Sequence, residues 1–261
     1  MKHAKQKEYK MDLGLKGRKA IVTGGTRGIG AAIVDLLVAE GCDVAFCARD
    51  EKQVKAKSDK LASDDVNVFG SVCDVGDHSA LSAWISDSVK SLGGVDIFIP
   101  NVSGGMQPDA DPWKMVYDVD LMATVRGCEQ VLELMSAGGA IVVITSIAGL
   151  ESFGPPGAYA TIKAGLISYA SQLGEAAAVK NVRVNAVSPG PIHVEDGAWG
   201  NIQRNSPEMY EAVAKKHLLE GRLGTPEEVA RSVVFLASPA ASWVTRTNHV
   251  VDGGFTRRVQ F

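Results

Sequence analysis

Short, mainly apolar runs recur along this chain, each followed by a longer segment of helical periodicity, and few folds satisfy that alternation. Lys19-Ala20-Ile21-Val22-Thr23 is stopped by Gly24-Gly25, after which Gly28-Ile29-Gly30 opens a helical pattern that closes at Gly41. Further apolar runs stand at 44–48, 66–73, 95–99, 140–145 and 182–187, with a last one around 247–251. Helical patterns fall between them at 51–63, 77–92, 113–135 and 157–179, and two more lie near 206–219 and 226–237. Strands that are apolar throughout must be buried on both faces, which is the condition of a parallel sheet between two layers of helices. The chain therefore reads as α/β: one doubly wound parallel sheet of seven strands, without linker, repeat or low-complexity segment. Its 261 residues suit a single domain over 15–261, preceded by a flexible polar tail over 1–14.

Charge and cysteine usage narrow the function classes. The net charge is −3, with acids and bases interspersed, which argues against nucleic acid or an anionic membrane surface as a partner. No apolar run approaches the roughly 20 residues of a membrane span. The lysine-rich stretch 1–10 lacks the apolar core of a signal peptide. Cys42, Cys47, Cys73 and Cys128 have no C-x-x-C spacing and read as small core residues of a reduced, cytoplasmic protein. His3, His78, His217 and His249 are scattered, and no metal site is expected.

Thr23-Gly24-Gly25-Thr26-Arg27-Gly28-Ile29-Gly30 lies between the first strand and the first helix, the place where a parallel sheet binds a dinucleotide. Glycines there let the backbone turn and approach a pyrophosphate, and the helix N-terminus supplies unpaired N–H groups. The spacing is Gly24-x-x-x-Gly28-x-Gly30 rather than G-x-G-x-x-G. Where an NAD enzyme places an acid, at the end of the second strand, this chain has Ala48-Arg49. Arg49 and Arg27 together suit a 2′-phosphate, gripped by planar guanidinium forks, and point to NADP(H) over NAD(H). Asp50, one residue further, is the position that would reverse this expectation.

Tyr159-Ala160-Thr161-Ile162-Lys163 carries the candidate chemistry, with Ser146 upstream at the end of the 140–145 strand. In a helix Tyr159 and Lys163 stand at i and i+4, on one face. A phenol is a poor acid at neutral pH, and a fixed ammonium beside it favours the phenolate, which suits a proton donor. The hydroxyl of Ser146 is placed to polarise a carbonyl that Tyr159 protonates.

With these residues the chain resembles the compact, non-extended branch of the short-chain dehydrogenase/reductases, the 3-oxoacyl-carrier-protein reductases among them, from about Leu15 to Gly254. The matching motifs are the Thr23–Gly30 loop, Asp74 after the third strand, Asn101 after the fourth, Ser146, Tyr159-x-x-x-Lys163, Asn185 with Ser188-Pro189-Gly190, and Val251-Asp252-Gly253-Gly254. The resemblance implies a single-domain Rossmann-type fold. It implies Tyr159 as general acid/base, Lys163 as its partner and a ligand of the nicotinamide ribose, and Ser146 as the group orienting the substrate oxygen. It also implies that Thr23, Gly24, Thr26, Arg27, Gly28, Ile29, Gly30 and Arg49 hold the phosphates and adenosine ribose. Asp74 and Val75 would face the adenine, Asn101 would lie along the cofactor, and Pro189, Gly190 and Ile192 would face the nicotinamide. Two residues depart from the family pattern. Asp120 stands where an asparagine that supports a proton-relay water is usual, and a carboxylate there would compete for the field of Lys163. Val194 stands where a threonine that bonds the nicotinamide amide is frequent, and Asn101-Val102-Ser103-Gly104 replaces Asn-Asn-Ala-Gly.

The expected function is an NADP(H)-dependent oxidoreductase of the 1.1.1 type, acting on a ketone or secondary alcohol, a 3-oxoacyl thioester being one candidate. The alternative is a cofactor-binding sensor or scaffold of the same fold, supported by Asp120 and Val194 alone. His193 with Glu195 or Asp196 lacks the G-x-S-x-G elbow of a hydrolase. Met106, Phe153, Pro155, Pro156, Trp199, Met209 and Tyr210 are expected to form an apolar substrate pocket, with no clustered arginine at its mouth. The segment Ser188–Asn205 reads as a mobile flap. The helices at 113–135 and 157–179 resemble those that the family pairs across two-fold axes, so a homotetramer is expected.

Overall fold

Alternate residues of the central strands turn to two different cores. The computed structural model describes residues 12–105 and 111–259. Its first strand, β1 (Lys19–Thr23), sends Ala20 and Val22 to one side and Ile21 to the other. β2 (Asp43–Ala48) divides in the same way, with Val44 and Phe46 opposite Ala45 and Cys47. β3 (Val68–Val72) lies outside β2, while β4 (Ile97–Ile99) and β5 (Ala140–Ile144) are buried along their whole length. β6 (Arg183–Pro189) and β7 (Asn248–Val251) complete a seven-stranded sheet of order β3-β2-β1-β4-β5-β6-β7 in which every pairing is parallel.

Helices α1 (Gly28–Ala39) and α2 (Glu51–Leu61) cover one face, and α3 (His78–Leu92) covers the other. Phe46 anchors the first core and Phe98 the second. Both are fully buried, and burial of each side chain is worth about 1.5–3 kcal/mol. The strand order reverses between β1 and β4, so the crevice beyond the carboxyl ends of these two strands is where a doubly wound sheet binds ligands.

The element order follows the apolar pattern, and the departures are local. The helix expected over 113–135 is three pieces: α4 (Pro112–Val116), a π-helical turn at Tyr117–Met122 and α5 (Ala123–Leu134). The widened turn carries Asp120 into the interior, where it is fully buried. After α6 (Ala158–Ala177), β6 runs on through Ser188 and Pro189, pairing Pro189 with Val251. Proline is tolerated there because it is the last strand residue, with no further ladder bond to donate. The segment expected as a flap is thus strand at its start and helix α7 (Ala198–Asn205) at its end. α8 (Pro207–Ala214) is shorter than the periodicity implied, and α9 (Pro226–Ala237) packs on α1, opened by a capping box of Thr225 and Glu228. All four cysteines are buried and free. Among the described residues no helix is long and apolar enough to cross a membrane. Of the residues assigned to the tail, Leu13 packs against the core and precedes the buried Leu15, whereas 1–11 lie outside the described residues.

Candidate active site

Two cavities of about 290 and 350 Å³ open at the carboxyl end of the sheet and share Arg27, Asn101 and Ser103, so they form one crevice. The glycine loop is its floor. Gly24 (φ 70°) and Gly28 (φ 55°) take left-handed backbone conformations. A Cβ on Gly30 would fall 2.0 Å from the Gly24 carbonyl oxygen and 2.4 Å from Asn101 Nδ2, so only hydrogen fits. α1 then starts without a side-chain cap and without an acid in its first turn, and its N-terminal Gly28, Ile29 and Gly30 face the larger cavity. Unpaired N–H groups at an uncapped helix end, with no carboxylate nearby, form an anion site. The donor set and the close backbone approach fit a dinucleotide pyrophosphate.

The smaller cavity lies over β2 and β3. Arg27 and Arg49 are exposed on its rim, joined by Thr26, Asp74 and Val75. Asp50 also reaches this cavity, but its Oδ1 accepts a hydrogen bond from the Gln53 N–H at 2.9 Å and caps α2. Asp50 is thus in part engaged by the helix, and Arg27 and Arg49 are the guanidinium groups that line the cavity, Arg27 also donating to the Asp196 carbonyl at 3.4 Å. Asp74 accepts from the Gly76 N–H at 3.0 Å, which fixes the turn that follows β3. Cys47 and Cys73 share the back wall. Burial, with the neighbouring Cys73 adding to it, holds the Cys47 thiol well above its ordinary range, while the Cys47 side chain holds the Cys73 thiol below its own.

Asn101 joins the two halves. Its N–H donates to Thr23 Oγ1 at 2.9 Å, and its Nδ2 donates to the Thr23 and Gly24 carbonyls at 3.1 and 3.2 Å. That ties the end of β4 to the glycine loop.

Ser146, Tyr159 and Lys163 line the larger cavity together. Tyr159 is 40% exposed, whereas Lys163, one helical turn on, is 2% exposed, and its Nζ lies 5.6 Å from the centre of the Tyr159 ring. The ammonium donates to the Ile144 carbonyl at 3.2 Å and stands 3.1 Å from Asp120 Oδ1. That carboxylate is wholly buried; its Oδ2 accepts from the Gly104 N–H at 2.7 Å, and its Oδ1 has no aligned hydrogen bond, so the contact with Lys163 is an ion pair. Ser146 Oγ accepts from the Ala148 N–H at 3.1 Å, which leaves its own hydrogen to donate into the cavity.

The far wall is Pro189, Gly190, Ile192, Val194 and Trp199. Val194 packs over Gly28, and His193 N–H donates to the Gly224 carbonyl at 2.8 Å. Tyr210 hydroxyl lies 3.1 Å from His193 Nδ1, with Trp199 edge-on to the Tyr210 ring. Of the apolar residues expected to line a substrate pocket, Trp199 does so, Phe153 packs against Phe255 instead, and Met106 lies outside the described residues. The Asp120 carboxylate expected near Lys163 is there, delivered by a π-helical turn that the sequence pattern did not show. The return of Arg257 and Arg258 to Glu151, beside the loop that follows Ser146, had no sequence signal.

A family profile described as Enoyl-(Acyl carrier protein) reductase matches residues 24–256. The isoepoxydon dehydrogenase patN of Penicillium expansum is 36% identical over 256 residues, covering 95% of this chain and 98% of its own. The 3-oxoacyl-[acyl-carrier-protein] reductase FabG of Chlamydia pneumoniae is 32% identical, over 94% of this chain and 100% of its own. Among solved structures, L-sorbose reductase from Gluconobacter frateurii, complexed with NADPH and L-sorbose, superposes with a TM-score of 0.86. It is 26% identical, covering 95% of this chain and 100% of its own.

Proposed function

This chain belongs to the short-chain dehydrogenase/reductase family and is an oxidoreductase; from that premise we propose that it is NADP(H)-dependent and interconverts a ketone and a secondary alcohol, with Tyr159 as general acid/base. The observation that carries the proposal is the sharing of one cavity by Ser146, Tyr159 and Lys163 with the uncapped N-terminus of α1. When bound, a reduced nicotinamide supplies hydride. The chain's own groups position the carbonyl and move the proton. The Ser146 hydroxyl donates to the substrate oxygen, Tyr159 protonates it, and the Lys163 ammonium stabilises the phenolate left behind. A 3-oxoacyl thioester is the narrower substrate reading, supported by the similarity to the Chlamydia reductase. Thr23, Gly24, Thr26 and Asn101 complete the cofactor cradle, and Pro189, Gly190 and Ile192 the nicotinamide wall. A homotetrameric assembly belongs to the same proposal, supported by the exposed Trp113 and Tyr117 on the long helical segment. A cytoplasmic setting is supported by four free, buried thiols.

NADP(H) preference rests on Arg49 and Arg27. Arg49→Ala is expected to weaken NADPH binding about tenfold, the ~1.4 kcal/mol typical of one lost charge-assisted contact, and to leave NADH nearly unchanged. Fluorescence titration of both cofactors decides this; tighter NADH than NADPH in the wild type would overturn the assignment.

Asp120 is proposed as the anchor of Lys163. A buried carboxylate at 3.1 Å shares the field of the ammonium with Tyr159. Asp120→Asn keeps an acceptor for Gly104 and removes the charge, so the Lys163 field falls on the phenol undivided. The pH–rate profile of that variant is expected to move toward lower pH. Superimposable profiles would remove Asp120 from the mechanism.

A further inference from the structure

The two walls of the reactive cavity are joined, behind the chemistry, by the C-terminal end of the chain. On one side, Gly190 leaves no room for a side chain because a Cβ there would fall 2.7 Å from Asp252 Cβ, and its N–H donates to the Val251 carbonyl at 2.9 Å. The Asp252 carboxylate then folds the chain over on itself. It accepts from the Gly254 N–H and from both the N–H and hydroxyl of Thr256, at 3.0, 2.9 and 2.7 Å. On the other side, Glu151 Oε1 accepts from the N–H groups of Arg257 and Arg258 at 3.0 and 2.9 Å, and Arg258 Nη1 donates to the Leu150 carbonyl at 3.3 Å. Phe153 and Phe255 pack with ring centres 5.4 Å apart between these anchors. Glu151 sits within the loop that begins at Ser146 and ends at Gly157, the residue before α6 and Tyr159.

We propose that the segment Asp252–Arg258 is a brace that sets the spacing between the Ser146–Tyr159 loop and the Pro189–Gly190 wall, with Glu151 as its positioning residue. The physical reason is that one carboxylate oxygen organises two consecutive backbone N–H groups 106 and 107 residues away in sequence. Without it the outer part of the loop between the two reacting hydroxyls keeps only the Arg258 bond to the Leu150 carbonyl and the Phe153–Phe255 contact. Glu151 touches neither substrate nor cofactor in this account. It acts by keeping Ser146 and Tyr159 in register, and small misplacements of such groups are costly. The inference rests on the reading of Ser146 and Tyr159 as the catalytic pair.

The test uses full-length Glu151→Ala and Glu151→Gln. Steady-state reduction of acetoacetyl-CoA or of an uncharged 3-oxo ester, whichever the wild type turns over, is expected to show kcat lowered about tenfold in the alanine variant, with NADPH affinity unchanged. The glutamine variant, whose amide oxygen still accepts, should recover most of that loss. Hydrogen exchange of residues 150–157, measured without substrate, should be faster in Glu151→Ala and close to wild type in Glu151→Gln. If Glu151→Ala keeps wild-type kcat and exchange, or if Gln fails to rescue a folded variant, the brace is refuted. Should the wild type reduce neither substrate, the exchange comparison still decides the brace, and the oxidoreductase reading is judged separately by the Tyr159→Phe control.

Discussion

Tyr159→Phe should lower kcat by about 10²–10⁴-fold, the range supplied by one positioned general acid, while NADPH binds as in the wild type. The two effects separate because the side chain has separable parts. The ring keeps its place above the Lys163 ammonium in either variant, and the hydroxyl alone is removed. Tyr159 is 40% exposed and sits in the first turn of a 20-residue helix, so its oxygen is not part of what holds the fold. Lys163 is the opposite case: nearly buried, it is held by Asp120 and the Ile144 carbonyl. Its loss would leave a buried carboxylate unpaired, which typically costs about 3–5 kcal/mol of stability. Tyr159→Phe is therefore the cleaner probe of chemistry. A variant that keeps more than a tenth of wild-type kcat would mean that the proton comes from elsewhere.

The second large effect is expected at Gly30→Ala. The added carbon would lie 2.0 Å from the Gly24 oxygen and 2.4 Å from Asn101 Nδ2, and neither neighbour can retreat. Gly24 is held at φ 70°, and Asn101 Nδ2 is bonded to the two carbonyls that end β1 and begin the loop. Relief requires the loop to lift off α1, which would disperse the N–H groups proposed to bind the pyrophosphate. NADPH affinity should fall more than about 100-fold, or ~2.7 kcal/mol, and the melting temperature should drop by roughly 5–10 °C. Gly165→Ala is the matched control. It lies on α6 with open space around its Cβ position, and alanine there should leave binding unchanged and stability equal or higher. Titration calorimetry and thermal melts of the two variants decide the matter. Unimpaired NADPH binding by Gly30→Ala would contradict the proposed cradle.

The sheet was legible because its inner strands are apolar on both faces, and few other architectures bury both, whereas the edge strands β3 and β7 are only partly buried. The same property blurs boundaries, since apolar residues next to a strand, such as Val95 before β4, are buried whether or not they pair. The Tyr159–Lys163 face was legible because helical spacing alone brings the pair together. Asp50 was ambiguous in sequence, since an acid after β2 can serve a ribose; its bond to Gln53 N–H gives it a second role, as the cap of α2. The meeting of Asp120 with Lys163 was legible from the family pattern, but the π-helical turn that delivers the carboxylate was not, because it has no periodicity of its own. Glu151 and its arginines were not legible at all. They meet only after the whole sheet has closed, and contacts more than 100 residues apart leave no local pattern.

In the proposed cycle Tyr159 gives a proton to a carbonyl oxygen while hydride passes to its carbon within the crevice floored by the glycine loop. The most direct measurement is oxidation of NADPH carrying deuterium at both C4 positions by wild-type enzyme and Tyr159→Phe, over a panel of ketones, quinones and 3-oxoacyl thioesters, with products read by mass spectrometry. That cycle is expected to leave one deuterium on the carbinol carbon for at least one substrate of the wild type, and none above background for the variant. Tight NADPH binding with no deuterium transfer to any member of the panel would contradict it, leaving a cofactor-binding protein without turnover.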